Sequence, residues 1–340
     1  MTNFRRFLVL LLFTLGLGVH VAASAQPAYL GAIVTDAASG RVIFEDNADV
    51  RNPPASMTKL MTFAVLHDKL ASGALTLTAP VTVNREEAKF AMKADSTSVW
   101  LKEKETFPVE ELIYAMMVQS ANDAALALAR VAAGSPEAFV ELMNEKARSL
   151  GMLHSTFRTP HGFTKGKVDL ATADLTTPHD FSLLCRYLLL ETDVTKYTSV
   201  AARPFGQGQR TQLVDMRNHN HLLGKVAGLD GLKTGYTAGA GFCLSATAER
   251  NGRRIIVVVM GGSDSKARDL KVAELIERGF ASAPAALPAV KTEVPAVNTA
   301  AAPAEIPAVK TDKSPAPAEQ NSTPADSMFT FHATPPPKKP

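Results

Sequence analysis

Apolar and polar positions alternate over short segments near both ends of the region from residue 28 to residue 280. Near its start, Tyr29–Thr35 and Arg41–Glu45 flank an Ala-Ser-Gly turn, which predicts a β-hairpin. Near its end, an Asn-Gly turn at residues 251–252 lies between the last two of three predicted strands. These strands are Leu232–Thr237, Gly241–Glu249 and Arg254–Met260.

The segment between the predicted strands carries helical periodicity, and a final helical segment follows them. A break at Asn52-Pro53-Pro54 precedes the first helix, and Thr177 is the predicted N-cap of a later one. The predicted helices are Ser56–Leu70, two stretches within Glu110–Ala132 that separate around Gln119–Asp123, Pro136–Leu150, Pro178–Leu190 and Lys266–Phe280. This order predicts an α+β domain, in which an antiparallel sheet formed from both chain ends is covered by helices.

The N-terminus has the layout of a cleavable secretory signal. Arg5 and Arg6 precede an apolar stretch, Phe7–Val21, and a small-residue Ala-Ser-Ala site follows before Gln26. The apolar stretch is shorter than the roughly 20 residues that span a bilayer. We therefore expect residues 1–25 to be removed and the mature protein to be exported, to the periplasm or the medium.

Composition changes sharply after Phe280. Residues 281–340 are dominated by Ala, Pro, Thr, Lys and Glu, and the segment Pro-Ala-Val-Lys-Thr occurs twice, at Pro288–Thr292 and Pro307–Thr311. Such a stretch buries too little apolar surface to offset the entropy of ordering it. The sequence thus predicts a signal peptide (1–25), one globular domain (26–280) and a disordered tail (281–340).

Charge and cysteine content exclude several classes of protein. The formal net charge is +3 and no basic stripe interleaved with aromatic residues is present, so no nucleic-acid partner is expected. Cys185 and Cys243 are too few for a disulfide scaffold. Both lie in apolar runs and are expected to be buried; the sequence leaves open whether they pair. We expect a monomer that needs no metal or other cofactor.

Three short motifs carry candidate chemistry, and each is common on its own. Their order along the chain, with each motif on the element its chemistry needs, makes the combination specific. The motifs are Ser56-Met57-Thr58-Lys59, Ser120-Ala121-Asn122 and Lys233-Thr234-Gly235.

The first motif predicts an activated serine. A hydroxyl needs a base within hydrogen-bond reach, and three residues along a helix bring Lys59 onto the face of Ser56. Lys59 acts as a base only when partly neutral, and burial together with the nearby cation Lys233 would lower its pKa. A helix N-terminus beneath Ser56 suits an oxyanion. Taken alone, this motif is better explained by an N-cap serine followed by a solvated lysine.

The other two motifs supply polar groups to a cleft. Ser120 and Asn122 lie at a helix break, where a hydroxyl relays a proton and an amide holds a substrate carbonyl; capping, with Asp123 alongside, is the alternative. On an edge strand, Gly235 admits a peptide substrate close to the backbone, while Lys233 and Thr234 hold a carboxylate. An edge strand protected by lysine is the alternative, but it leaves the glycine-rich run at 238–241 unexplained.

Five stretches extend the similarity beyond the motifs: Pro54–Thr62, Gln119–Ala125, Pro160–Gly162, Asp230–Thr237 and Val259–Gly262. They resemble the D-alanyl-D-alanine carboxypeptidases among the low-molecular-mass penicillin-binding proteins, over roughly Tyr29–Phe280. The resemblance implies a β-lactamase/DD-peptidase-like fold. It also implies a penicillin-sensitive serine peptidase that removes the terminal D-alanine from peptidoglycan stem peptides through an acyl-enzyme, with β-lactams as covalent inhibitors.

The resemblance also implies a role for each matching residue. Ser56 is the expected nucleophile, Lys59 its base and Ser120 a proton relay. The expected substrate-binding residues are Asn122 for the substrate amide, Lys233 for electrostatic support, Thr234 for the carboxylate, Gly235 for close approach of the backbone, Tyr236 for the oxyanion hole together with Ser56, and Arg268 near the terminal carboxylate.

Other activities remain open. A D,D-endopeptidase that cuts cross-links shares the three motifs, although the Ser-Ala-Asn-Asp-Ala-Ala context favours a carboxypeptidase. A β-lactamase needs a further acid, for which Glu141 with Asn144 lacks the usual spacing. A non-catalytic penicillin sensor or wall binder would tolerate loss of Ser56 or Lys59, and both are present.

Many relatives end in a β-rich domain and a membrane-binding helix. Residues 281–340 have neither pattern, so no stable membrane anchor is expected.

Overall fold

A computed structural model of the chain describes residues 28–164, 169 and 171–282. The predicted signal peptide and the tail from residue 283 onward lie outside the described residues. The last helix continues through Ala281 and Ser282, two residues past the predicted boundary after Phe280. No helix within the described ranges is long and apolar enough to cross a bilayer.

The described residues form nine strands and eight α-helices. The strands are β1 Gly31–Asp36, β2 Val42–Asp46, β3 Pro80–Thr82, β4 Thr106–Pro108, β5 Ala202–Phe205, β6 Val214–Arg217, β7 Leu229–Thr237, β8 Gly241–Arg250 and β9 Arg253–Gly262. The helices are α1 Thr58–Ala71, α2 Arg85–Ala91, α3 Val109–Val118, α4 Asn122–Ala133, α5 Pro136–Ser149, α6 Pro178–Glu191, α7 Thr195–Thr198 and α8 Ser265–Ser282.

The main sheet has five antiparallel strands in the order β2-β1-β9-β8-β7. Its two N-terminal strands join three C-terminal ones through the β1–β9 pair, in which Gly31 lies opposite Met260. The β8–β9 turn places Asn251 and Gly252 at φ of 51° and 73°, which suits the Asn-Gly pair that predicted it. The predicted sheet from both chain ends is therefore confirmed, and β7 is an edge strand.

Both faces of this sheet are buried. Along β9, Val257 and Val259 belong to a core shared with α8, whereas Val258 and Met260 belong to the larger core formed with the other helices. Successive side chains of a strand point to opposite faces, so burial on both sides requires an unbroken apolar run. The run from Ile255 to Met260 meets that requirement.

Two small two-stranded sheets lie outside the main sheet. Strand β3 pairs with β4, and β5 pairs with β6. Neither sheet was predicted from the sequence.

Candidate active site

Ser56 lies in a 3₁₀ turn, Ala55–Met57, immediately before α1. Two glycines let backbone approach this turn from both sides. A Cβ on Gly162 would lie 1.9 Å from the Ala55 carbonyl oxygen, and Gly162 also has a φ of +75°. A Cβ on Gly235 would lie 2.3 Å from the Pro54 carbonyl oxygen. The turn that carries Ser56 is therefore held between β7 and the loop at residue 162.

Lys59 is fully buried beneath Ser56. Its Nζ lies 3.1 Å from Ser56 Oγ, and it donates hydrogen bonds to Asn122 Oδ1 at 2.6 Å and to the His161 carbonyl at 2.7 Å. A neutral amine has two N–H donors and one lone pair. With both donors used by these two acceptors, the lone pair is left for the Ser56 hydroxyl.

Burial lowers the pKa of Lys59 well below its ordinary value of 10.5, and the charge of Lys233 lowers it further. The carboxylates of Asp174 and Asp123 act in the opposite direction but do not reverse the shift. Burial and the charge of Arg268 also lower the pKa of Lys233, to about 7. The site thus shifts Lys59 toward its neutral form.

Ser120 lies at the break between α3 and α4, with a φ of +64°. Its hydroxyl is buried and has no hydrogen-bond partner among the described residues. Unpaired buried polar groups are rare and are commonly explained by a catalytic role or an absent ligand. Ser120 lines the same pocket as Ser56, so its hydroxyl is available to a substrate there.

Asn122 is the first residue of α4, and both its side-chain amide and its backbone N–H are hydrogen-bonded. Its Oδ1 accepts from Lys59, its Nδ2 donates to Ser96 Oγ at 3.0 Å, and its backbone N–H donates to the Thr97 carbonyl at 2.8 Å. The N-cap residue of α4 is Ala121, and it has no side-chain cap hydrogen bond. The Asp123 carboxylate accepts from the backbone N–H groups of residues 99, 101 and 124. The hydrogen bonds made by Asn122 and Asp123 at this helix break hold residues 96–101 against the site.

The third motif lies on the edge strand β7. Lys233 and Thr234 are buried, and Lys233 Nζ donates to the Thr234 carbonyl at 3.2 Å. Tyr236 is 56% exposed and stacks on Phe242 with 4.2 Å between ring centroids. An edge strand leaves alternate peptide groups free to pair with an added peptide.

Arg268 reaches the site from α8. It is buried, donates to the Cys243 carbonyl at 3.1 Å, and is paired with Asp269 Oδ1 at 2.7 Å. Arg268 lines one pocket together with Ser56 and Thr234.

Two pockets flank Ser56. One of about 400 Å³ contains Ser120, Thr234 and Arg268, and the other, of about 310 Å³, contains Asn122. Tyr236 lines both. The nine residues singled out from the sequence are therefore brought together around this cleft, with Lys59 and Lys233 buried in its wall.

Sequence reasoning missed further residues that line the cleft: Asp95, Thr97, Phe163, His219 and His221. Desolvation and the charge of Lys233 lower the pKa of His219 to about 4. A polar Asn-His-Asn-His run at 218–221 was the available signal in the sequence, but it does not match the spacing of a known motif.

Within the described ranges, no group of three or more His, Cys, Asp or Glu side chains could hold a metal ion. Cys185 and Cys243 are buried and unpaired.

The family model described as D-alanyl-D-alanine carboxypeptidase, peptidase family S11, matches residues 20–264. The chain belongs to this family. The predicted recognition of the D-alanyl-D-alanine carboxypeptidase family is confirmed.

Curated relatives carry the same family description. The chain is 30% identical over 249 residues to the D-alanyl-D-alanine carboxypeptidase DacF of Bacillus subtilis, and 35% identical over 254 residues to DacC of Escherichia coli. Each alignment covers 73% of this chain and 61% or 60% of the relative. The chain therefore spans about three fifths of the length of these D-alanyl-D-alanine carboxypeptidases.

Solved structures support the predicted fold class. Penicillin-binding protein D2 from Listeria monocytogenes in the ampicillin-bound form has a TM-score of 0.64 and 31% identity, covering 74% of this chain and 97% of that protein. Penicillin-binding protein 5 from Haemophilus influenzae has a TM-score of 0.69 and 30% identity, covering 76% and 72%. The β-lactamase/DD-peptidase-like α+β fold is confirmed for this member of the D-alanyl-D-alanine carboxypeptidase family.

Proposed function

We propose that this protein is a serine-type D-Ala-D-Ala carboxypeptidase that removes the terminal D-alanine from peptidoglycan stem peptides through an acyl-enzyme on Ser56. One observation carries the proposal: a fully buried lysine, Lys59, has both donors of its neutral amine engaged and lies 3.1 Å from the Ser56 hydroxyl. This geometry suits a general base and an adjacent nucleophile.

Acylation follows from that arrangement. Ser56 Oγ attacks the carbonyl carbon of the penultimate D-alanine while its proton passes to Lys59 Nζ. The N–H groups of Ser56 and Tyr236 stabilise the tetrahedral oxyanion. The C–N bond to the terminal D-alanine then breaks, and Ser120 passes the proton from Lys59 to the leaving amine. The unpaired buried hydroxyl of Ser120 supports this relay.

Deacylation uses the same base. Water attacks the ester carbonyl, Lys59 accepts the proton from that water, and the Ser56 oxygen leaves as a hydroxyl after taking the proton back. The shortened stem peptide departs with a new carboxylate, and the free enzyme is restored.

Substrate orientation comes from the cleft walls. Thr234 and Arg268 line the same pocket, so a hydroxyl and a guanidinium are available to hydrogen-bond the substrate's terminal carboxylate. The stem peptide pairs with the free edge of β7, where Gly235 permits close approach. Asn122, already fixed by Lys59 and Ser96, lines the second pocket and donates from its amide to the substrate carbonyl.

The site argues against a β-lactamase. Asn144 is occupied in the fold, since its side chain exchanges two hydrogen bonds with the backbone of Phe157. Glu141 is exposed on α5 and lines neither pocket beside Ser56. An acid that activates the deacylating water is therefore not supplied by this pair.

The setting of the enzyme is part of the same proposal. Residues 1–25 form a cleaved export signal, one domain follows, and the tail from residue 283 adds no catalytic group. The protein acts outside the cytoplasm as a monomer, and β-lactams inhibit it covalently. The family's named activity on D-alanyl-D-alanine supports this setting.

Penicillin labelling tests the proposed nucleophile. A β-lactam presents a strained amide beside a carboxylate, so intact-mass analysis should show one adduct on the wild type and none on Ser56→Ala. Ser72→Ala, which alters an exposed serine just after the same helix, should label like the wild type. Equal labelling of Ser56→Ala would refute the assignment.

Product analysis tests the reaction. Incubation with a monomeric pentapeptide muropeptide should release D-alanine, detected by mass, in a Ser56-dependent manner. Incubation with cross-linked muropeptides provides the comparison: cleavage of cross-links without release of terminal D-alanine would show the endopeptidase instead.

A further inference from the structure

A groove separate from the two pockets that flank Ser56 has no role in the proposed reaction. It has a volume of about 690 Å³ and lies between the segment at 100–105 and residues 209–215, which comprise the end of the β5–β6 loop and the start of β6. Trp100 and Leu213, 50% and 39% exposed, give the groove two apolar surfaces.

Trp100 is held rigidly although its ring is half exposed. Its φ of +53° lies in the left-handed region, which is rare for a bulky residue and persists only where the surroundings impose it. The surroundings do so here: the Trp100 carbonyl accepts from Arg210 at 2.9 Å, and the N–H groups of Val99 and Leu101 bond to the Asp123 carboxylate. An exposed aromatic ring is thus presented on a fixed backbone.

The groove also offers neutral polar groups. Arg210 is neutralised by an ion pair with Glu105, and it also donates hydrogen bonds to the carbonyls of residues 99 and 100. The side chains of Gln209, Thr211 and Gln212 are exposed and make no hydrogen bond within the described part of the chain. Apolar ring faces edged by unpaired amides and a hydroxyl suit a ligand that has both C–H faces and many hydroxyl or amide groups.

One short segment of the chain contributes residues to both the cleft and the groove. Thr97 lines both pockets beside Ser56, and its carbonyl is bonded to the backbone N–H of Asn122. Trp100 follows three residues later, so its Cα lies within about 11 Å of that of Thr97. A stem peptide of about five residues spans at most about 18 Å when extended. The peptide is therefore longer than the separation of Thr97 from Trp100.

We propose that this groove, defined by Trp100, Leu213 and the loop at 209–212, is a saccharide subsite that binds an amino sugar of the glycan strand to which the stem peptide is attached. The sugar packs a C–H face on the Trp100 ring, and its hydroxyl and acetamido groups bond to Gln209, Thr211 and Gln212. This inference rests on the proposed function, because that function brings a sugar-linked peptide to Ser56.

The kinetic test compares two substrates of the full-length mature protein, a disaccharide-pentapeptide and the free pentapeptide. The ratio of their kcat/KM values should fall about tenfold in Trp100→Ala, the size expected for loss of one well-placed aromatic contact. Trp100→Phe should recover most of the ratio. Leu153→Ala, which removes an 80% exposed apolar side chain away from the groove, should leave it unchanged. An unchanged ratio in Trp100→Ala, or an equal fall in Leu153→Ala, would overturn the subsite.

A spectroscopic test is independent of turnover. Trp100 is the only tryptophan in the chain, so its fluorescence reports this groove alone. Titration with the peptide-free glycan disaccharide should change the emission saturably, and Gln212→Ala should weaken the apparent affinity. No change up to millimolar disaccharide would overturn the subsite. If neither substrate loses D-alanine but the disaccharide still binds, the proposed function fails and the subsite stands.

Discussion

At the scale of single residues, the decisive feature is how the Lys59 amine is held. Two acceptors, Asn122 Oδ1 and the His161 carbonyl, fix the directions of its N–H bonds, and burial disfavours the protonated form. An oriented neutral amine is a better base than a solvated lysine, because its lone pair already faces the nucleophile.

Removing this amine should therefore slow acylation without removing penicillin recognition. Lys59→Met keeps most of the buried volume, and we expect the rate of penicillin acylation to fall by about 10²–10⁴. Stopped acylation reactions followed by intact mass measure the rate. Lys69→Met, on the same helix but partly exposed, serves as the control. A near-wild-type rate in Lys59→Met would show that another group takes the proton.

Lys233 should make stability depend on pH. Its pKa is 10.5 ordinarily and about 7 in the folded protein. Below pH 7 the amine is charged in both states, so the folded state carries the full cost of burying the charge. Between about pH 7 and 10.5 the unfolded chain binds more protons than the folded one, and stability rises with pH.

Urea unfolding of the wild type and Lys233→Met at several pH values measures this effect. The variant should be more stable relative to the wild type near pH 6.5, and its advantage should shrink as the pH approaches 10. A difference that does not change with pH would contradict the lowered pKa.

Part of this site was predictable from residue spacing. The S-x-x-K spacing predicted that Lys59 faces Ser56, and the structure has the two atoms 3.1 Å apart. The influence of Lys233 on the Lys59 pKa was also predicted and is present. The His161 carbonyl was not predicted, because every residue has a carbonyl and its use leaves no mark in the sequence. The functional roles of these residues remain predictions.

At the scale of elements, the site depends on close approach of three backbone segments. Gly162 carries the loop at 159–162 against the Ser56 turn, where a Cβ would lie 1.9 Å from the Ala55 carbonyl oxygen. Gly73 has the same φ of +75° but nothing within 4 Å of its would-be Cβ. Comparing alanine substitutions at these two glycines therefore separates the cost of a left-handed backbone from the cost of the steric clash.

Gly162→Ala should displace the Ser56 turn, and Gly73→Ala should not. Both variants bear the strain of a left-handed alanine, about 1 kcal/mol, but only Gly162→Ala adds the clash. We expect Gly162→Ala to lose more free energy of unfolding, by a further 1–3 kcal/mol or so, and to acylate more slowly. Denaturant unfolding and penicillin labelling measure both effects. Equal behaviour of the two variants would show that the loop yields without moving Ser56.

The elements missed by sequence reasoning share short length. Strands β3 to β6 have only three or four residues each, too few for a period-2 pattern to stand out. Helix α2 was detectable in principle, because Asn84 and Glu87 form a capping box, visible as Asn-x-x-Glu. The long elements were predicted because their apolar periodicity extends over ten or more residues or because turn residues bound them. Thr177, for example, caps α6 as predicted by accepting from the Asp180 N–H.

At the scale of the whole molecule, the last helix extends two residues beyond the predicted domain boundary. Helix α8 ends at Ser282 and packs on the sheet through Val272 and Ile276. Its last two residues come from the segment that composition assigned to the tail, since Ala and Ser continue a helix without interruption.

Truncation after Ser282 tests the prediction that the remaining segment contributes nothing to the domain. The melting temperature and the turnover of a free pentapeptide should match those of the full-length protein, because a Pro- and Ala-rich segment adds little apolar burial. Differential scanning calorimetry and D-alanine release measure the two properties. A truncated protein that melts several degrees lower would show that the segment packs on the domain.

The pairing of β1 with β9 has a consequence for how the chain is made. The strand that starts the domain finds its partner only near the domain's end, with Gly31 opposite Met260. Such pairings close slowly, because a long loop must be ordered before the contact forms. A chain emerging from the ribosome N-terminus first therefore cannot complete its central sheet until nearly all of the domain has been synthesised. During that interval β1 and β2 lack the strand that joins them to the rest of the sheet, and the free edge of β1 is open to pairing with other chains.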